Sequence, residues 1–443
     1  MSDTLAALRE GRLEGNRRLD LVGCGLAEFP REAFTLADSL EVLDLSRNRL
    51  TTLPDDFDRL HRLKVLFCSD NLFTQLPSVL GRCAALEMVG FKANRIERVP
   101  AQALPPRLRW LILTDNAIEE LPESIGDCSR LQKLMLAGNR LRALPDAIAR
   151  CERLELLRIS ANRFERLPAA LTTLPRLAWL AIGGNPMNTA AENAALHAAA
   201  LSHIDWRTLS LRALLGEGAS GVIHEAAWTG AADASTVAVK LFKGAVTSDG
   251  WPASEMAACI GAGPHPDLIP VLGRIDGHPD GVQGLVLARI AAGWRNLASP
   301  PSLETCTRVV YADDWRTPIA AALAMASGIA SAVQQLHARG ISHGDLYAHN
   351  ILVDGHGGAL LGDFGAASFC PKAEASALQR IEARAFGCLL EELVAHCEPP
   401  ADEAERATVQ RMQGLTQRCL QADPAQRPTF DQIALALVLA PAQ

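Results

Sequence analysis

Leucines recur along the first part of the chain in the order Leu-x-x-Leu-x-Leu-x-x-Asn. Leu40, Leu43, Leu45 and Asn48 form one copy, and Leu131, Leu134, Leu136 and Asn139 another. The asparagine recurs as Asn48, Asn71, Asn94, Asn116, Asn139, Asn162 and Asn185, at spacings of 23, 23, 22, 23, 23 and 23 residues. An earlier unit begins at Leu19 and Leu21 and carries Cys24 in the Asn position. Leu-Pro follows in most units, as in Leu53-Pro54 and Leu121-Pro122. The pattern predicts about eight units, each with a short parallel strand whose leucines point inward. The Asn amide can hydrogen-bond the backbone where the chain turns. One such unit cannot bury its own apolar face, so neighbours must stack into a curved solenoid.

The repeats resemble the leucine-rich-repeat family over about residues 15–190. Between the inward leucines, Val42, Val65, Met88, Trp110, Leu156 and Trp179 fall in one column of the concave face, and Phe67, Ile112 and Met135 in the next. So apolar and aromatic a face is expected to bind a protein partner, through Val65, Met88, Trp110, Ile112, Met135, Leu156 and Trp179. After Asn185-Pro186 the repeat stops. Ala-rich Thr189 to Leu201 is expected to form a capping helix, and a short connector around His203 to Thr208 follows, with no Gly/Ser-rich linker. The boundaries read as 1–188 for the repeats, 189–207 for cap and connector, and 208–440 for a second domain.

The second half changes character. Gly216-Glu217-Gly218-Ala219-Ser220-Gly221 is a GxGxxG sequence, which by itself also suits a dinucleotide-binding turn. The following Thr236-Val237-Ala238-Val239-Lys240 is a β-branched strand ending in Lys, in a half of the chain that otherwise has only Lys243 and Lys372. A dinucleotide fold would open a helix there instead. Downstream come His343-Gly344-Asp345-Leu346-Tyr347-Ala348-His349-Asn350, then Gly362-Asp363-Phe364-Gly365, and near the end Asp423-Pro424 with Arg427-Pro428-Thr429-Phe430.

In order and spacing these motifs resemble the protein kinase superfamily across about residues 208–440. The expected architecture is an α/β leucine-rich-repeat solenoid followed by a two-lobed α+β protein-kinase-like domain. The resemblance implies ATP and Mg²⁺ as cofactors and a protein substrate. It places Gly216, Glu217, Gly218, Ala219, Ser220 and Gly221 over the ATP phosphates, and Lys240 on the α- and β-phosphates with Glu255 as its helical partner. Asp345 is implied as the proton acceptor, Asn350 and Asp363 as Mg²⁺ ligands. Ile223, Ala238, Leu287 and Leu352 are implied around the adenine, with Leu287 at the gate of a hinge that runs to Ile290. His343 and His349 read as structural.

Several positions depart from that pattern. Gly344 stands where many protein kinases carry an Arg that meets a loop phosphate, so activity independent of loop phosphorylation is expected. Tyr347 stands where Ser/Thr kinases carry Lys. There is no Ala-Pro-Glu motif, and 18 residues separate Asp363 from Glu382, which takes the place of the usual Asp in a core helix over Leu378 to Gly387. Only Ser368 and Ser376 offer hydroxyls in that segment. Arg427, which normally pairs with the missing Glu, needs another partner. The expected activity is transfer of the γ-phosphate of ATP to a protein hydroxyl, serine or threonine ahead of tyrosine. The alternatives are a pseudokinase scaffold and a small-molecule kinase of the aminoglycoside or choline type.

Composition adds limits. The 443 residues carry 43 Lys and Arg against 50 Asp and Glu, a net charge of −7, which argues against a dedicated nucleic-acid binder. The eleven cysteines are odd in number and form no CxxC pair, so neither a zinc site nor a disulfide framework is expected. Cys83, Cys128 and Cys151 sit in phase with the repeat leucines and read as core residues. No secretory signal is visible. The Ala-rich run Ile319 to Val333 reads as too short and weak for a membrane span. A cytoplasmic location is expected.

Overall fold

The computed structural model describes residues 3–197, 202–218, 220–230, 235–244 and 246–438. The chain divides into two compact units, Met1–Arg176 and Leu177–Gln443. The boundary read from sequence lay after the last repeat; in the structure that repeat's strand belongs to the second unit.

The first unit opens with a short helix, α1 (Asp3–Arg9), and then repeats one short strand per turn: β1 (Arg18–Asp20), β2 (Val42–Asp44), β3 (Val65–Phe67), β4 (Met88–Gly90), β5 (Trp110–Ile112), β6 (Lys133–Met135) and β7 (Leu156–Arg158). They pair in parallel and in strict register, Leu19 beside Leu43, Leu43 beside Leu66, and Leu111 beside Leu134. These leucines are buried. Cys83, Cys128 and Cys151 are buried too, as their phase predicts. Short 3₁₀ turns follow Pro77, Pro100, Pro122, Pro145 and Pro168, each Pro holding the extended backbone that precedes a helical turn.

The asparagines close every turn as the spacing predicts. Asn139 Oδ1 accepts from Ile118 N at 3.0 Å, and its Nδ2 donates to Leu113 O and Leu136 O, both at 2.9 Å. Each amide therefore ties its own strand to the preceding repeat. Asn48, Asn71 and Asn162 make the same set. One feature has no sequence signature. The residue before each Asn sits in the left-handed region: Arg47, Asp70, Ala93, Asp115 and Ala161, with Gly138 and Gly184 in the other two repeats. A side chain there is strained by about 1–2 kcal/mol, which the amide bonds must outweigh.

The second unit begins with the last repeat strand, β8 (Trp179–Ala181), and helix α2 (Pro186–Leu196). This cap starts three residues earlier than the Thr189 expected from composition and ends before Leu201, which lies outside the described residues. Pro186 supplies the reason: its fixed φ suits a first helical position directly after Asn185. The connector is not a loop. It forms β9 (His203–Asp205), which pairs in parallel with β13 (Val271–Asp276) and buries Ile204 in the sheet core.

A six-stranded sheet follows, in the order β10 (Leu209–Glu217), β11 (Gly221–Trp228), β12 (Ser235–Phe242), β14 (Gly284–Ala288), β13, β9. Helix α3 (Pro252–Ala262) starts with Pro252 in its first turn and ends at Gly263, whose φ is 64°. The rest is mainly helical. After β15 (Arg295–Asn296) come α4 (Ile319–Ala338), β16 (Ile341–Ser342), β17 (Ile351–Val353), β18 (Ala359–Leu361), β19 (Ser368–Phe369), α5 (Ala375–Ala395), α6 (Glu403–Cys419) and α7 (Phe430–Val438). Helix α5 contains the core helix expected over Leu378 to Gly387. By length and composition α4 could cross a membrane, which corrects the shorter and weaker run read from sequence. Half of that apolar stretch is buried, and α4 packs against α5, α7 and β18 as a core helix.

Asn139→Ala should strand three buried backbone groups and cost about 2–3 kcal/mol. Urea unfolding of the full chain, followed by far-UV circular dichroism, reads this as an earlier midpoint for the repeat transition.

Candidate active site

The site grows out of strand geometry. β12 pairs with β11 and β14, placing Ile223 and Leu285 beside Lys240, and Leu287 beside Ala238. At the tip of the β10–β11 hairpin, Gly218 N donates to Gly221 O at 2.9 Å. A Cβ at Gly216 or Gly218 would meet nothing within 4 Å, whereas one at Gly221 would lie 2.6 Å from Leu241 O. Gly221 is thus required by the close approach of two strands. Gly216 and Gly218 leave open backbone that a ligand can approach. Lys243 braces the hairpin, its Nζ bonding Glu217 Oε1 at 2.7 Å and Gly218 O at 3.1 Å. Ala219 lies outside the described residues.

Beneath the hairpin is a cleft of about 260 Å³. Gly218, Ser220, Gly221, Ile223, Lys240, Glu255, Leu287 and Asp363 line it together. Gly216, Glu217, Ala238 and Leu352 do not. Ala238 is buried in the sheet, and Leu352 is half-buried on β17. The lining also includes Thr247, Asp249 and Cys259, which no motif singled out. Thr247 and Asp249 sit in an aperiodic turn before α3, and Cys259 sits one helical turn beyond Glu255. Only folding brings them to the cleft.

Lys240 Nζ is paired with Glu255 Oε1. Their side chains are 13% and 2% exposed, so the pair is desolvated. Burial works against the ammonium, but the Glu255 carboxylate outweighs it and holds the Lys240 pKa above its ordinary value. Burial holds the Glu255 carboxyl above its ordinary value, with Lys240 pulling the other way. Glu255 lies in the first turn of α3, where the helix N-terminus favours a carboxylate.

Asp345 and Asn350, on the loop from His343 to Asn350, are not among the residues lining that cleft. Asn350 Nδ2 donates to Asp345 Oδ2 at 2.8 Å and Asp345 O at 2.9 Å. These bonds leave the Asn350 carbonyl oxygen as a donor atom for a cation. Asp363, at φ 51°, accepts Gly365 N with Oδ1 at 3.2 Å and keeps its other oxygen outside that bond. Two hard oxygens from Asn350 and Asp363 fit Mg²⁺, which takes few protein ligands and keeps several waters. His343 is structural: it is fully buried, and its Nε2 meets Gly362 O at 2.9 Å, tying the two loops together.

Glu382, buried on α5, accepts Gly344 N at 2.7 Å through Oε1 and contacts His337 Nε2 at 2.6 Å through Oε2. Burial opposes its charge, but the bond to His337 leads the effects that hold its carboxyl below the ordinary value of 4.5. Gly344 has φ 70°, and a Cβ there would lie 2.6 Å from both Ala366 O and Leu180 O. Arg427 donates to carbonyls: Gln421 O at 2.9 Å, Arg380 O at 3.2 Å and Leu177 O at 3.5 Å. Burial, helped by nearby Arg384, brings its pKa down to about 10.

The concave columns need correction. Val65, Met88, Met135, Leu156 and Trp179 are buried, while Trp110 and Ile112 are half-buried. Lys133 stands in the first column, its ammonium 4.2 Å from the Trp110 ring centre. Trp179 is no free docking residue. Its ring stacks on Tyr347 at 4.1 Å and 9°, and its Nε1 donates to Leu346 O at 3.1 Å. Ser368, one of two hydroxyls after Asp363, is also buried, accepting Ile182 N at 3.0 Å.

Comparison with known proteins adds the family. The model for protein tyrosine and serine/threonine kinases matches residues 209–385, and the leucine-rich-repeat model matches 17–73, 106–164 and 129–187. The chain is 30% identical over 131 residues to mouse "Leucine-rich repeat and calponin homology domain-containing protein 1", covering 29% of this chain and 18% of that protein. It is 33% identical over 123 residues to "Probable inactive serine/threonine-protein kinase roco10" of Dictyostelium discoideum, covering 27% of this chain and 5% of the other. A 59-residue stretch is 42% identical to "Probable serine/threonine-protein kinase roco9" of the same organism, 13% of this chain and 2% of that one. The chain thus spans less than a fifth of the length of these relatives.

Glu382→Ala should cost about 2–4 kcal/mol by leaving the buried Gly344 N–H and His337 Nε2 without their partner. Because the folded carboxyl is held down, its stabilisation is complete above pH 4.5 and fades as pH falls through the lowered value. Thermal unfolding of wild type and variant between pH 7 and pH 3 should therefore converge at the acid end.

Proposed function

Because the chain joins leucine-rich repeats to a domain of the protein tyrosine and serine/threonine kinase family, we propose that it transfers the γ-phosphate of ATP to a protein hydroxyl, serine or threonine ahead of tyrosine. The observation that carries this reading is the desolvated Lys240–Glu255 pair sharing one cleft with Asp363 and the open glycine hairpin.

In this reading residues 208–440 are the catalytic domain. ATP lies under the hairpin, with Ile223 and Leu287 against the base. Backbone N–H groups of Gly218 to Gly221 cover the phosphates, and Lys240, held charged by Glu255, balances the α- and β-phosphates. Mg²⁺, held by Asn350 and Asp363, would neutralise charge on the phosphate oxygens. The Asp345 carboxylate, oriented by Asn350, accepts the proton of the attacking hydroxyl. The new O–P bond forms as the bond to the β-phosphate oxygen breaks, and ADP leaves. The repeats select a protein partner, with half-buried Trp110 and Ile112 the concave positions still reachable. The cysteines form no disulfide among the described residues, in keeping with a cytoplasmic setting.

A second reading is an ATP-binding scaffold with little transfer. The observation that favours it is the Trp179–Tyr347 stack, which leaves no cation at position 347.

Incubating the full chain with Mg²⁺ and γ-labelled ATP should label protein in the wild type. Asp363→Ala and Asp345→Ala should each lower the rate by about 100-fold or more, while thermal unfolding stays near wild type. Full activity in Asp363→Ala would sink the metal-ligand assignment. ATP binding without label in the wild type would favour the scaffold. Mapping the labelled residues distinguishes serine and threonine from tyrosine.

A further inference from the structure

The loop bearing Asp345 and the segment after Asp363 are both contacted by the stretch that runs from β8 into α2. Trp179 bonds the carbonyl of Leu346, the residue next to Asp345, and its ring covers Tyr347 two residues along. One residue further, Leu180 O closes the space beside Gly344. Ile182 N then reaches Ser368 Oγ, and Asn188 Nδ2 donates to Phe369 O at 2.6 Å. Phe369 in turn packs on α3, where a Cβ at Gly261 would lie 2.8 Å from its ring. Helix α2 runs against α3 itself, with Glu192 beside Ser254, the neighbour of Glu255.

Three parts of the machinery are therefore gripped by one stretch of about twenty residues: the loop bearing Asp345, the segment after Asp363, and the helix bearing Glu255. We infer that Trp179 and Asn188 are positioning residues, which hold the catalytic loop and the post-Asp363 segment in the arrangement that transfers phosphate. The end of the repeat array is then part of the phosphotransfer site. This role rests on the kinase reading for its link to catalysis, but the grip can be read without activity.

The physical expectation follows from the contacts. Losing the ring removes a stacked aromatic pair and a buried hydrogen bond beside Asp345. The loop then samples other conformations, and Asp345 is in place for a smaller fraction of the time. ATP contacts on Lys240 and the hairpin remain, because Trp179 touches neither. The signature is a fall in kcat with little change in the KM for ATP.

The experiment uses the full chain as wild type, Trp179→Ala, Trp179→Phe and Asn188→Ala. Amide hydrogen exchange is followed by mass spectrometry alongside kinetics with γ-labelled ATP. Trp179→Ala should raise exchange across 344–350 by about tenfold or more, leaving α6 unchanged. Asn188→Ala should do the same across 366–370. In both, kcat should fall about tenfold or more with the KM for ATP within about twofold. Trp179→Phe keeps the ring stack and should recover most of the loss. If Trp179→Ala does not fold, Trp179→Phe and Asn188→Ala decide the matter by the same readouts. Unchanged exchange in both loops, or unchanged kcat in an active enzyme, overturns the inference. A wild type that binds ATP and transfers nothing, yet shows the exchange changes, overturns the kinase reading and leaves the grip in place.

Discussion

A stack of repeats cannot end by itself. Each strand covers the apolar face of the one before, so the last leaves side chains and backbone groups with no next copy to meet. In this chain the last strand, β8, meets the loop that runs from His343 to Asn350 instead. Trp179 lies flat on Tyr347, Leu180 O abuts Gly344, and Ile182 N bonds Ser368. The remaining oddities of the second unit follow from that substitution. Gly344 has no side chain because there is no room for one. Tyr347 is an aromatic ring because a ring lies on it. Ser368 is buried because it completes a strand's hydrogen bonding.

The same unit shows how charge is kept in a dry interior. An unpaired buried charge is costly, so each must have a counterion or a set of polar partners. Lys240 and Glu255 provide for each other inside the cleft. Glu382 has His337 on one oxygen and the Gly344 amide on the other. Arg427 donates to main-chain carbonyls, and burial together with nearby Arg384 depresses its pKa. The first two arrangements also fix geometry: one holds the Lys240 ammonium in the cleft, and the other pins the backbone just before Asp345.

The repeats were legible because their information is periodic and local. A spacing of 23 residues, a Leu phase and an Asn amide specify a strand and its turn, whatever lies elsewhere. The motifs of the second half were legible for a related reason. Lys240, Asp345, Asn350 and Asp363 each sit inside a short motif whose local backbone is set by glycines and neighbouring strands. Glu255 was harder, since its helix has only eleven residues, yet Pro252 and Gly263 mark both ends. Asp249 and Thr247 were invisible because an aperiodic turn carries no pattern. The left-handed residues before each Asn were invisible because five of the seven are not glycine.

By itself the sequence determined the solenoid and the order of the motifs in the second half, since both depend on regular or short spacings. The tertiary structure alone decided what becomes of Trp179, Tyr347, Ser368 and Arg427. Each has a partner at least 47 and as many as 250 residues away along the chain. Contacts at that range leave no periodicity to read, because a side chain's accessibility depends on which distant element is folded against it.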